Sequence, residues 1–170
     1  MIAPGDTEFP NNVITLVAER ARTYLDPAES DPTKRPKIFK RPLRPSDGTQ
    51  VVGIFPSMKR PVITSIEMQS LQPTLGRYSF IMQTMVTDSK EEDCIAVHSI
   101  LSNRLWRMFY RDSPLNIGLT ALAVSTDNST ERFQRRGVEL QRYLSNEIDG
   151  SFIETSWIEC WFETETVGNP

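Results

Sequence analysis

The sequence predicts an α+β domain in which an antiparallel or mixed β-sheet packs against two or three helices, interrupted by a long Pro-rich basic loop. Three observations lead there. Hydrophobic periodicity runs helix, strands, helix, strands, the order expected of α+β domains rather than of regularly alternating ones. The 170 residues and 19.4 kDa suit one domain, so residues 1–170 are expected to share a single core. Between residues 26 and 48, Pro27, Pro32, Pro36, Pro42 and Pro45 break every period, while Lys34, Arg35, Lys37, Lys40, Arg41 and Arg44 charge the stretch positively. So long a segment without periodicity reads as an extended arm or loop.

Residues 11–25 form the first expected helix, with Val13, Leu16, Val17, Ala21 and Tyr24 on one stripe. Pro10 and Asn11 read as its start, and Asp26-Pro27 as its stop, because a residue before proline is pushed out of helical geometry. Residues 49–56 and 63–71 are short, β-rich runs separated by a turn that carries Lys59 and Arg60. Residues 77–87 are the clearest strand. Tyr78, Phe80, Met82, Thr84 and Val86 share one face, yet Ile81 and Met85 lie on the other, so both faces are expected to be covered.

Asp88-x-x-Glu91 has the form of a capping box, in which each side chain answers an orphan amide at a helix start. The predicted helix carries Glu91, Glu92 and Asp93 at its positive pole and Arg104, Arg107 and Arg111 towards its negative one. Val97, Ile100, Leu101, Leu105 and Met108 form its stripe, and Pro114 lies past its end. Residues 119–125 read as another strand. Residues 131–148 fit two readings. Leu140, Tyr143, Leu144 and Ile148 suit a helix, whereas Val138, Leu140, Leu144 and Ile148 suit one face of a strand, and Asp149-Gly150 is a hairpin signal. The helix is the preferred of the two. Residues 152–164, rich in β-branched and aromatic residues, close the domain as a strand.

Chemistry is hard to find in this chain. The single histidine, His98, lies one helical turn from Cys94, a spacing that can seat two metal ligands. A structural zinc site needs four, and no second histidine or paired cysteine motif supplies them. His98-Ser99 is no catalytic pair, since adjacent helical residues point about 100° apart. Phosphate-binding glycine loops, the zinc helix and the nucleophile elbow are all missing from the sequence. Catalytic, cofactor-binding and metal-binding residues are therefore assigned to none. Glu154, Glu159, Glu163 and Glu165 crowd the last strand and are read as an acidic outer face. The two cysteines, Cys94 and Cys160, make no disulfide framework, and no apolar run approaches the roughly 20 residues needed to span a bilayer.

The charges are segregated. The formal net charge of -3 argues against a dedicated nucleic-acid binder. A basic arm (Lys34, Arg35, Lys37, Lys40, Arg41, Arg44, with Lys59 and Arg60) and an acidic terminal strand (Glu154, Glu159, Glu163, Glu165) invite head-to-tail contact between copies, which closes into a ring where the rotation allows. The 38% hydrophobic content is modest for a lone domain and points the same way.

Three stretches together resemble a known family. They are Tyr78-Ser-Phe-Ile-Met-Gln-Thr-Met-Val-Thr-Asp88 leading to Ala96-Val-His-Ser-Ile-Leu101 and Met108-Phe-Tyr-Arg-Asp112; Glu131-Arg-Phe-Gln-Arg-Arg-Gly-Val138 with Gln141-Arg-Tyr-Leu-Ser-Asn-Glu-Ile148; and Gly150-Ser-Phe152 with Trp161-Phe-Glu-Thr-Glu165. Over about residues 75 to 165 the chain is similar to the tail terminator, or tail completion, proteins of long-tailed non-contractile phages. The Pro-rich basic arm is a departure from that pattern. The resemblance implies a virion subunit with no catalytic residues and no cofactor. It implies a homo-oligomeric ring, typically a hexamer, that caps the tail tube protein and joins it to a neck or connector protein, with DNA passing unread through the bore. The alternatives are another neck protein or, in a different class, a small nucleic-acid- or peptide-binding module that uses the basic arm.

Overall fold

The computed structural model describes residues 5–25, 35–57, 62–66, 73–125 and 129–168. It is an α+β domain. A mixed seven-stranded sheet has the order β1-β2-β4-β7-β6-β5, with β3 also paired to β4. The strands are β1 (Lys37–Phe39), β2 (Gln50–Pro56), β3 (Val62–Ile66), β4 (Pro73–Asp88), β5 (Ala123–Ser125), β6 (Ser129–Ile148) and β7 (Ser151–Gly168). β1 runs parallel to β2, and every other pairing is antiparallel. Among the described residues three helices, α1 (Gly5–Tyr24), α2 (Glu91–Arg111) and α3 (Ser113–Ala121), pack on one face.

The core lies between those helices and that face. Val13, Val17 and Ala21 of α1, Leu101, Leu105, Met108 and Phe109 of α2, and Leu115 and Leu119 of α3 meet Val52, Ile54, Phe80, Met82, Val86, Ile158, Cys160 and Phe162. Phe80 is edge-on to Phe109, with centroids 5.7 Å apart, and fully buried. Burial of side chains of this size contributes about 1.5–3 kcal/mol each. Asp112 ties the helices together. Its carboxylate caps α3 by accepting from the Leu115 amide at 3.0 Å and also accepts from Arg20 Nε of α1 at 2.7 Å.

The central strand behaves as its alternation predicts: Phe80, Met82 and Val86 face the helices, while Gln83 and Met85 are buried on the opposite face. What buries that opposite face is part of the Pro-rich segment. The segment is not wholly irregular, since Lys37–Phe39 is an edge strand and Pro45–Asp47 a 3-10 turn. The Leu43 amide donates to Gln83 Oε1 at 3.0 Å. Gly53 is required there, because a Cβ on it would sit 2.7 Å from the Arg41 carbonyl oxygen and 3.1 Å from Leu43 Cγ. The Arg41–Asp47 ion pair, 2.7 Å, closes the loop on itself. Residues 26–34, with the expected stop at Pro27, lie outside the described residues, as do Lys59 and Arg60.

Other boundaries differ from expectation. α1 begins at Gly5, with Pro10 inside it rather than at its start. β4 runs through Asp88, whose Oδ1 accepts from the Lys90 amide at 3.0 Å. Asp88 thus shapes the turn, and α2 starts at Glu91 without the expected capping box. Ile100 is 54% exposed, one residue off the buried stripe. The strand expected over 119–125 is split: Leu119 to Ala121 end α3, and only Ala123–Ser125 is extended.

The main correction concerns residues 131–148, preferred as a helix. They are β6, paired with β7 from Ser129 to Ile148. Two register shifts, between Phe133 and Arg135 and between Val138 and Leu140, explain the misreading. The second bulge puts Val138 on the helix-side face, against the core, and Leu140 on the other, so the apolar spacing never keeps a clean period of two. The hairpin signal holds. Asp149 and Gly150 have φ of 52° and 76°, the left-handed pair of a type I′ turn, and Ile148 pairs with Ser151 across it.

Candidate functional site

The β6–β7 hairpin is the largest feature that the core does not account for. Its half near the strand ends, here the proximal half, is firmly held. β5 pairs with β6 only at Thr130, Glu131 and Arg132. Arg136 reaches over the core, donating to the Phe109 carbonyl at 2.6 Å and to Asn116 Oδ1, and burial depresses its pKa. On the opposite face Glu163, 2% exposed, lies between Arg77 (Nη2 to Oε1, 2.7 Å) and Arg135. Hydrogen bonding from Arg135 holds its carboxyl below the usual range against the opposing effect of burial, and Arg77 adds to this. Arg77 also stacks 4.1 Å from the Trp161 ring, and that ring crosses Gly137, where a Cβ would sit 2.6 Å from indole Cε2.

The distal half, towards Asp149-Gly150, is different. Beyond Arg132 the outer edge of β6 pairs with no strand among the described residues. Leu140, Leu144 and Ile148 form a stripe on the face away from the helices, 40%, 50% and 48% exposed, and Tyr143 faces the other way, 57% exposed. Unpaired, apolar edge strands of this length recruit other chains unless they are covered.

Between α2 and distal β6 lies an open cleft of about 530 Å³ lined by Ile95, Trp106 and Tyr143, among others. On one wall, His98 Nε2 is 3.1 Å from Ser156 Oγ and 3.3 Å from Ser102 Oγ, and the two hydroxyls are 3.2 Å apart. Burial lowers the His98 pKa, so the neutral ring is favoured. A histidine beside a hydroxyl is half of a nucleophilic site, but among the described residues no carboxylate is hydrogen-bonded to His98 to orient it. Cys94 does not join it. Its thiol is directed at the Val86 and Phe152 carbonyls, 3.3 Å each, and burial pushes its pKa up. No group of three or more metal-ligating side chains occurs among the described residues.

The anticipated acidic face is dispersed. Glu154 is fully buried on the helix side, accepting from the Tyr143 and Ser145 hydroxyls, and burial, with Glu91 adding to it, raises its carboxyl pKa. Glu163 is buried on the opposite side. Glu159 is half-buried and accepts from Ser57 Oγ at 3.4 Å, and Glu165 accepts from Gln134 at 2.5 Å. On the basic side, Arg35, Lys37, Lys40 and Arg44 are exposed around β1, at the far edge of the sheet from β6. Arg41 is bound to Asp47, whose pKa falls to about 2 through that hydrogen bond and the Arg44 amide. Lys34, Lys59 and Arg60 lie outside the described residues.

The strand reading of residues 131–148 already puts Leu140, Leu144 and Ile148 on one face, but not as exposed residues, and the sequence does not single out the cluster of His98 with Ser102 and Ser156. The Asp149-Gly150 turn was the signal for the first. Nothing local in the chain brings Ser156 to His98. No helix among the described residues is long and apolar enough to cross a membrane. No protein-family model matches the sequence, and no curated protein is significantly similar to it.

Proposed function

We propose that this chain is a non-enzymatic structural subunit of a phage virion, forming a ring that terminates the tail tube and joins tail to head. The observation that carries this reading is the outer edge of β6, which beyond Arg132 pairs with no strand among the described residues, with its exposed Leu140, Leu144 and Ile148. Such an edge suits a subunit whose stable form includes a neighbour. The resemblance of residues 75 to 165 to tail terminators supplies the kind of assembly: a ring, typically of six, between the tube and the connector, with DNA threading the bore. The basic residues about β1 and the charge balance of the rest fit contact between copies better than grip on a nucleic acid.

Light scattering on the purified chain, with negative-stain images of the same fraction, tests the proposal. A ring of about six copies with an open bore is the expected result. Addition of the ring to tubes of the tail protein, halting their growth, separates a terminator from another neck subunit. A monomer that binds DNA tightly and salt-sensitively would replace the reading with a binding module.

A further inference from the structure

We propose that two copies of this chain pair edge to edge through the distal half of β6, antiparallel about a two-fold axis at Asn146, with Leu144 of each copy opposite Ile148 of the other. The contact goes beyond the ring reading and does not depend on it. A two-fold contact closes after two copies, so it joins two subunits, or two rings subunit by subunit, while closure of a ring uses other surfaces.

Three features of β6 lead there. The turn sets its hydrogen-bonding phase: Ile148 and Ser151 flank the two-residue turn as a hydrogen-bonded pair, so Gln141, Tyr143, Ser145 and Glu147 direct their amides and carbonyls away from β7. They point to the edge that no strand covers among the described residues. The bulges guard only part of that edge. They lie between Phe133 and Arg135 and between Val138 and Leu140, and from Leu140 to Ile148 the pairing is regular. The regular part also lacks the usual deterrents to pairing. Residues 143–148 hold no proline and no lysine, and their one charge, Glu147, lies on the opposite face from Leu144 and Ile148.

Register identifies the occupant as a second β6. A two-fold axis at Arg142 sets that residue against itself. At Gln141, Tyr143 or Ser145 the axis puts Arg142 opposite Leu140, Leu144 or Ile148. At Leu140 it runs the ladder through the second bulge, and at Leu144 it brings Glu139 to Asp149. At Glu147 or Ile148 it sets acids together. The axis at Asn146 pairs Leu144 with Ile148 on both sides and Ser145 with Glu147, with no like charges opposite. Ser145 and Glu147, whose backbone groups face outward, then exchange hydrogen bonds across the axis. Leu144 and Ile148, 50% and 48% exposed in the lone copy, gather with their symmetry mates on one face. The opposite edge of the sheet, β1, spans only Lys37–Phe39, so head-to-tail strand addition would give a shorter ladder.

Cysteines placed on β6 of the full chain read the register. Asn146→Cys faces its own copy across the axis, with Cα atoms about 4.5 Å apart, within disulfide reach. It is expected to give a disulfide-linked dimer under mild oxidation and none in urea. Cys94 and Cys160 are buried and do not compete. Asn146→Arg sets two cations at the axis and should raise the dimer dissociation constant at least tenfold in analytical ultracentrifugation, whereas the neutral Asn146→Gln should hold it within about twofold. Leu144→Cys linking faster than Asn146→Cys overturns the proposed register. A wild-type chain that is monomeric at its highest soluble concentration, with neither cysteine linking, overturns the pairing and leaves the edge to a strand of another protein. Rings of about six copies with no link through residue 146 overturn the pairing and leave the ring reading standing. Linked dimers that form no ring do the reverse.

Discussion

The two halves of the β6–β7 hairpin share one pair of strands, with two bulges resetting the register along it, yet they are held in opposite ways. The proximal half buries a carboxylate, Glu163, between two guanidinium groups and lays Arg136 over the core, donating to the Phe109 carbonyl. The distal half buries a carboxylate too, but among the described residues Glu154 accepts from the Tyr143 and Ser145 hydroxyls and from no cation, and β6 beside it is exposed. The pairing of β6 with β7 itself is therefore not what distinguishes them. Cross-strand and cross-face side chains fasten one half to the subunit and leave the other available to a partner.

The largest effect should come from breaking the fastened half. Glu163→Ala leaves Arg77 and Arg135 without their shared anion and is expected to cost about 2 kcal/mol, less than a fully buried pair because both arginines are partly solvated. Urea melts of the two proteins at neutral pH measure it. Gly137→Ala pushes a methyl into the Trp161 ring and should cost about 1–3 kcal/mol, with a change in tryptophan fluorescence. In the distal half, Gly150→Ala at φ 76° should cost about 1 kcal/mol. Leu144→Ser should move subunit stability by no more than about 0.5 kcal/mol, since the side chain is half solvated, as a urea melt of the variant measures.

Acid sharpens the contrast. The folded-state pKa of Glu163 is depressed, so its contribution is full above the unfolded-chain value and is lost as pH falls through the folded one. The pKa of Glu154 is raised, so its contribution is full below the unfolded value and disappears as pH rises through the folded one. Urea melts between about pH 3 and 8 should show Glu163→Gln losing most relative to wild type at the upper end. Glu154→Gln should gain relative to wild type over the same rise. Curves of the same sign for both variants would remove the distinction.

Much of the fold was legible from the chain. The faces of β4, the polarity of α2 and the Asp149-Gly150 turn all follow from local chemistry, because each depends on neighbours within a few residues. β6 was misjudged for a physical reason: bulges reset its phase, and a shifted strand with apolar residues four apart imitates a helix. The acidic strand was misjudged although alternation alone assigns Glu154 and Glu163 to opposite faces; what the chain does not show is that both faces are covered there, so that both carboxylates are buried. The role of residues 41–43 in covering Gly53 and Gln83 was equally invisible, since it depends on contacts from distant sequence.

The pairing of β4 with β7 also fixes a delay during synthesis. Asp88 lies opposite Phe152, 64 residues later, and Leu75 opposite Glu165, 90 residues later. At roughly 5–20 residues per second, β4 waits about 3 to 18 seconds for the strand that completes its hydrogen bonding. During that interval the strand bearing Phe80, Met82 and Val86 has β2 on one side and nothing on the other, so nascent chains crowded on one messenger risk pairing with each other before each meets its own β7.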